Sequence, residues 1–425
     1  MAIRNRVEPR VSATSPFFTA AAGTTRSRGR FWGALASYPV FRWLWFAMLS
    51  SSLGQWMQQV ALGWLAIVVT NSPGFVGLVT FAGGVPFLII APLGGTLIDR
   101  LDRRRLMLAG QALACLLAVA LALDVIGGFV QPWHLIVAAF LNGSLQAILS
   151  PTQQSLVPSL VPREDLTNAI GLMSAGQNMT RVVGPSIAGI VIGAAGVGPT
   201  YLVQAVAIGL SFLLVLKISL PPRDPRLTGG RGVFEGIRLI AARPDLRGLF
   251  LLVSIPMLFV FPYIGFLNVF ARDIFHIGAE GLGLLMGVSG VGAVVGSLLV
   301  ASAKRIDGAG RMLIGMTIAY GFVVLGVAFS RTLWITLPLL FLGSLLGAAF
   351  MSGNNVLIQH RITDDVRGRV TGAYMLTWGL MPLGALPMGL VADRFSTPVA
   401  VAAGAIISTV LAAMLAVASP ALREL

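Results

Sequence analysis

Charged side chains are scarce in this chain. Asp, Glu, Lys and Arg make up 11% of its 425 residues, less than half of the roughly 25% that a soluble globular domain carries. An ordinary water-facing surface is therefore excluded. The single cysteine, Cys115, excludes an intrachain disulfide; set in an apolar run, it reads as a small buried hydrophobe. The three histidines, His134, His276 and His360, are scattered, so no metal cluster is indicated. Neither the Gly-x-x-x-x-Gly-Lys-Ser/Thr loop that cradles ATP phosphates nor a Gly-x-Ser-x-Gly elbow occurs. The sequence argues against ATP as an energy source and against an enzyme, and it calls for no cofactor.

Hydrophobicity is what the chain has in abundance, with 56% hydrophobic residues and a mean hydropathy of +0.86. At about 20 apolar residues per span, this suffices for about a dozen membrane helices. Apolar runs fall at 44–69, 75–98, 106–126, 133–154, 166–195 and 199–219, and resume at 247–271, 280–303, 311–330, 333–357, 369–392 and 397–419. The pattern predicts an all-α membrane protein of twelve transmembrane helices, six in 42–219 and six in 247–425. Residues 1–41 read as a disordered, basic cytoplasmic tail, because their one apolar patch, 16–23, is too short for a signal peptide or a span. Residues 220–246 read as a cytoplasmic linker. Within it Phe234, Ile237, Ile240 and Ala241 share one side while Glu235, Arg238 and Arg243 lie elsewhere, the pattern of an amphipathic helix resting on the inner leaflet.

The net charge of +14 is placed by topology and calls for no nucleic-acid partner. With the N-terminus inside, all but four of the 30 Lys and Arg residues are cytoplasmic, the exceptions being Arg181, Arg272, Arg331 and Arg394. The positive-inside rule then puts both termini in the cytoplasm. A faint internal repeat accompanies this topology. A shift of about 200 positions sets Asp165 on Asp365, Leu166 on Val366, Gly184 on Gly384, Gly189 on Gly389 and Gly95 on Gly296. Two halves of like topology are a mark of secondary transporters.

One stretch, GGTLIDRLDRRR at 94–105, crowds two carboxylates and four guanidiniums between apolar runs. A basic cytoplasmic loop accounts for the arginines, but not for Asp99 at the very end of a span, where a carboxylate needs a donor or a helix N-terminus. The stretch resembles the loop between the second and third helices of the major facilitator superfamily, Gly-x-Leu-Ala-Asp-Arg-x-Gly-Arg-Arg. Gly95, Leu97, Asp99, Arg100, Arg103 and Arg104 stand in its places, and Asp102 replaces the second glycine. Asp tolerates left-handed backbone, so a left-handed turn is expected at Asp102. The Asp-for-Gly form is similar to the branch of siderophore and multidrug exporters. Gly184-Pro185-Ser186-Ile187-Ala188-Gly189 resembles the fifth-helix antiporter motif of the same superfamily, with one glycine replaced by Ala188.

The resemblance implies two pseudo-symmetric six-helix bundles that rock about a central cavity. Gly95, Asp99, Arg100, Arg103, Arg104, Gly184, Pro185 and Gly189 would govern gating, with Asp99 facing the start of the eleventh helix near Thr363-Asp364-Asp365. It also implies that helices 1, 4, 7 and 10 face the substrate. There Gln55, Gln58 and Gln59 share a face, as do Asn142 with Gln146 and Asn355 with Gln359. These amides either line a wet cavity or tie helices together. Trp56, Trp64, Phe259, Phe261 and Tyr263 offer stacking walls or packing. Arg181, the one basic residue well inside a span, meets carbonyls, an amide such as Gln177 or Asn178, or an anionic group on the substrate.

Proton antiport is implied by the resemblance alone. The fourth-helix arginine often tied to it is missing, and Asp124, at the outer end of the third helix, is the candidate coupling residue, with a solvated loop carboxylate as the other reading. The expectation is a monomeric, multi-pass exporter of a lipophilic or amphipathic small molecule, of drug or siderophore class, in a plasma membrane or bacterial inner membrane. An importer or facilitator, and a non-transporting membrane sensor, are the rival readings.

Overall fold

Long apolar runs can satisfy their backbone polar groups in lipid only as helices. The computed structural model describes residues 32–100, 102–162, 164–219, 233–302 and 308–425, with 91–100, 233–234 and 364–365 as backbone only. Residues 1–31 of the expected tail, 220–232 of the expected linker, and Gly95, Asp99 and Arg100 beyond their backbone lie outside the described residues. The described residues contain no strand. Their main elements are α1 (Pro39–Thr70), α2 (Pro73–Arg100), α3 (Arg103–Ile126), α4 (Pro132–Leu160), α5 (Leu166–Ala195), α6 (Val197–Leu216), α7 (Val233–Ala242), α8 (Pro244–Phe259), α9 (Gly278–Ser302), α10 (Ala309–Phe329), α11 (Leu333–Arg361), α12 (Asp364–Met375), α13 (Leu380–Arg394) and α14 (Thr397–Ala418).

Local chemistry sets the ends. Proline opens α1, α2, α4 and α8, where its missing N–H would have been unpaired in any case. Asn71 closes α1 at φ 53°, the left-handed cap that asparagine tolerates. Asp102 departs from expectation. Its φ of −65° and ψ of 114° are extended rather than left-handed, and its side chain accepts the Arg105 N–H at 2.9 Å, capping α3. The carboxylate gains more as an N-cap than as a glycine substitute.

Ten of the helices or helix runs are long and apolar enough to cross a bilayer. Two of these runs are broken. After α8 the chain tightens into a 3₁₀ turn, Phe261–Phe266, and reaches a π-helical turn, Phe270–Ile274; Pro262 removes a donor at the break. Between α12 and α13 the turn Leu376–Gly379 is also 3₁₀. The helices α1 and α5, with 32 and 30 residues, are as long as the others but lack a comparably apolar 18-residue stretch. They carry the glutamines and Arg181 singled out above, and these residues lower their hydropathy.

Packing repeats between the two parts of the chain. The contacts α1 with α5, α1 with α6, α2 with α4, α3 with α4 and α3 with α6 have counterparts in α8 with α13, α8 with α14, α9 with α11, α10 with α11 and α10 with α14. The parts meet chiefly through α2 with α13 and α5 with α9, and also where α2 touches the segments Phe261–Phe266 and Leu376–Gly379 and α1 touches Leu267–Val269. The glycines picked out by the 200-residue shift behave alike. A Cβ on Gly184 would stand 2.6 Å from Trp56 Cβ of α1, and one on Gly384 would overlap the Leu258 carbonyl of α8. A Cβ on Gly189 would stand 2.8 Å from Gly283 Cα of α9, and one on Gly389 would stand 3.1 Å from Gly74 and Gly77 Cα of α2. Small residues here bring backbones into contact, which is how helices associate in lipid.

The ten-residue helix α7 precedes α8. It packs on α12, where Gly236 meets the Arg369 carbonyl closely and Glu235 pairs with Arg369.

Candidate functional site

Pro185 in α5 has no N–H to give the Arg181 carbonyl one turn earlier. The helix α9 approaches there, and a Cβ on Gly290 would lie 3.2 Å from that oxygen. The Arg181 guanidinium sits over the Trp56 ring, 5.6 Å from its centroid, within the range of a cation–π contact. The phenols of Tyr320 and Tyr263, both 1% exposed, lie in its neighbourhood. Tyr263 lies in the 3₁₀ break after α8, so an unwound segment of the second part faces the arginine of the first. The described carboxylates in ion pairs are Asp124, Asp245, Asp273 and Glu235, and none of them pairs with Arg181. Phe261 and Tyr263 are packed rather than exposed, and Phe261 leans on Tyr320 with centroids 5.5 Å apart.

The amides divide. Gln58 and Asn142 are buried, and Gln58 Oε1 accepts from Asn142 Nδ2 and, at 3.0 Å, from Gln204 Nε2. This network ties α1, α4 and α6. Gln55 and Gln59 are exposed on another side of α1, as is Asn355 on α11. Gln55 and Gln146 line a cavity with Ser51, Ser52, Gln111, Ser150, Gln153 and Gln177, between α1, α3, α4 and α5. Its lining is rich in neutral hydrogen-bonding groups. Gln359, the expected companion of Asn355, donates to Thr371 Oγ1 at 3.1 Å. Sequence reasoning missed Gln111 and Gln153. The signal for Gln153 was present, since Gln146, Ser150 and Gln153 follow at helical spacing on one face.

Contacts between the two parts gather at the end of the molecule that holds Asn71. Ser72 Oγ donates to Asp393 Oδ2 at 2.8 Å, and the Gly74 N–H donates to Asp393 Oδ1 at 2.8 Å. Asp393, on the last turn of α13, thus caps the first turn of α2, where a carboxylate is favoured by the helix dipole. Arg272 donates to the Ile67 carbonyl and to Asn71 Oδ1. Asp393 carried no sequence signal, because its partners are 319 and 321 positions away.

At the opposite end the motif arginines bind carbonyls of their own part. Arg103 donates to Ser155 of α4 at 2.8 Å and Arg104 to Leu216, the last residue of α6, at 2.7 Å. Tyr38, just before α1, donates to Asp165 Oδ2 at 2.7 Å; burial and that bond push its phenol up to about 12, so it remains a donor at neutral pH. Asp124 is not isolated, since its Oδ2 lies 2.7 Å from His134 Nδ1 at the start of α4.

Comparison with known proteins accords with this architecture. The chain matches the family described as transmembrane secretion effector over residues 32–425. It is 26% identical to the staphyloferrin A transporter of Staphylococcus aureus over 349 residues, 81% of this chain and 87% of the relative. It is 28% identical to the multidrug efflux pump Tap of Mycobacterium tuberculosis over 397 residues, 89% of this chain and 93% of the relative. Macrolide efflux protein A of Streptococcus pyogenes is 22% identical over 410 residues, 91% and 96% of the two chains. Among solved structures, the nucleoside transporter NupG superposes with a TM-score of 0.67 at 16% identity, over 89% of this chain and 98% of that one. The inward-facing, occupied form of a bacterial homologue of the lysosomal transporter Spinster does so with 0.70 at 14%, over 90% and 95%. These likenesses concern the fold, whereas the match of nearly the whole chain concerns descent: the protein is a multi-pass membrane transporter, not an enzyme, and belongs to the transmembrane secretion effector family of the major facilitator superfamily, of siderophore and multidrug type.

Proposed function

We propose that the protein is a twelve-span secondary transporter that works by alternating access and exports a lipophilic or amphipathic small molecule, of drug or siderophore class. The long helices α1 and α5, added to the ten apolar spans of the described residues, support a count of twelve. The recurring contacts support two pseudo-symmetric six-helix bundles, 42–219 and 247–425, joined through 220–246. The observation that carries the reading is the contact between the bundles at one end of the described residues. The bundles meet at the Asn71 end through Asp393 and Arg272, while Arg181 and the amide cavity lie behind that closure.

The Lys and Arg bias supports an external Asn71 end with both termini inside, and the contacts at that end support a state closed on the outer side. In the alternate state Asp99 faces the N-terminus of α12 and, with Gly95, Arg100, Arg103 and Arg104, locks the cytoplasmic side. Gly184, Pro185 and Gly189 let α5 close against α1 and α9. Arg181, Gln55, Gln59, Gln146 and Asn355 meet substrate, while Gln58 and Asn142 hold α1 against α4. Proton antiport supplies the energy, with Asp124 and its neighbour His134 as the exchanging pair. The names of the efflux relatives support the outward direction.

Purified protein in vesicles of known orientation tests this. Solute should move out of the cytoplasmic compartment and stop when the proton gradient is collapsed. Movement down a solute gradient alone would replace export by facilitation, and absence of movement for a broad solute panel would remove transport itself.

A further inference from the structure

Taking the transport reading as its basis, we infer that the transported molecule is an amphipathic organic anion, its acidic group held by Arg181 and its hydroxyl or amide groups held in the glutamine-lined cavity beside it. Arg181 is the one charged side chain placed mid-span among the described residues. The described carboxylates sit at helix ends or outside the spans: Asp124 two residues before the end of α3, Asp245 at the second residue of α8, Glu280 at the third of α9 and Asp393 at the penultimate residue of α13. Among the described residues the interior path is therefore positive, with no carboxylate placed mid-span. The Trp56 face supports a cation without neutralising it.

A lipophilic cation entering this path meets repulsion, and an anion meets the one ionic partner on offer. At an effective dielectric of about 20, a unit charge about 6 Å from the guanidinium gains or loses on the order of a hundredfold in affinity according to its sign.

The cavity completes the description of the ligand. Gln111 is 3% exposed; its Nε2 donates to Ser211 Oγ at 2.8 Å, but its Oε1 is buried without a partner. Gln153 Nε2 is likewise buried and unpaired. Both glutamines line the same cavity, and a change of side-chain rotamer would turn an unpaired acceptor and an unpaired donor toward a ligand amide or hydroxyl. The cavity adjoins the arginine. Gln177 of its lining precedes Arg181 by one turn, about 6 Å along α5, and Gln55 is next to Trp56. An acid and a neutral hydrogen-bonding group about one helical turn apart fit both at once.

The probe is dansyl-glutamine, which carries an aromatic body, a carboxylate and a primary amide, compared with its methyl ester and with a dansyl quaternary ammonium. Binding to the full-length protein in nanodiscs is read by energy transfer from tryptophan. The acid is expected to bind at least tenfold more tightly than the ester, and the ammonium more weakly than either. Arg181→Gln should erase the gap between acid and ester without weakening the ester, and Arg181→Lys should keep the order. Gln153→Leu should weaken acid and ester alike. Equal affinity of acid and ester in the unmutated protein, or preference for the ammonium, overturns the inference with no need of any variant. Liposomes separate the two readings. Export of a cationic dye that survives Arg181→Gln sinks the anion while leaving transport intact, and tight binding of the acid without flux of any solute sinks transport while leaving the anion.

Discussion

At the scale of single residues, identical side chains in one run serve different ends. Gln58 accepts from two amides, so Gln58→Leu leaves two buried donors unpaired, a loss of about 1–2 kcal/mol in the bilayer. A thermal melt in detergent should show the midpoint fall, while Asn142→Leu combined with it should cost less than the sum of the two alone. Gln55→Leu should leave the melt unchanged and lower transport. Sequence spacing could not assign these roles. Neighbours such as Gln58 and Gln59 lie 100° apart on a helix, and only knowledge of which helix stands on each side tells network from cavity. Arg181, in contrast, was legible from the chain alone, since a charge in mid-span needs a function to retain it.

At the scale of elements, the close helix pairs decide which states exist. A Cβ on Gly389 would meet Gly74 Cα, Gly77 Cα and the Pro73 carbonyl, each at 3.1 Å. Alanine there requires a shift of a few tenths of an ångström, and leucine prevents closure. Gly389→Leu and Gly189→Leu should therefore both lengthen spin-label distances across the Asn71 end, and both should impair transport more than the corresponding alanines. Asp393→Ala removes the cap of α2 and two exposed hydrogen bonds, about 0.5–1.5 kcal/mol. It should shift the same distances in the same direction by a smaller population. Unchanged distances in all three variants would show that these contacts do not govern the closed end. The helices themselves were readable to within a few residues, because apolar length and proline fix them. The 3₁₀ turns Phe261–Phe266 and Leu376–Gly379 were not, since proline also sits inside unbroken helix, as Pro256 and Pro387 do, and so does not by itself mark a break.

At the scale of the whole molecule, the repeat seen as a few matched glycines becomes a matched set of helix contacts. Asp99 belongs to this level, because its proposed partner is the far bundle. Asp99→Asn should weaken the outward-open state, so that distances across the cytoplasmic end stay long and transport slows about tenfold; wild-type distances would remove the gate. The half-copies were visible in sequence only where backbones touch, since elsewhere any apolar residue satisfies the lipid and the repeat has faded.

The arginine buried between the two mouths has an electrical consequence. In a protein whose access switches sides, a fixed charge at the centre senses first one compartment's potential and then the other's. Loaded with an anion, the centre is neutral and its switch ignores voltage; empty, it carries one positive charge back through up to about 2.3 kcal/mol per 100 mV. An inside-negative potential would then pull the empty carrier inward after each delivery, and net export of a negative molecule would be drawn along by the membrane voltage itself.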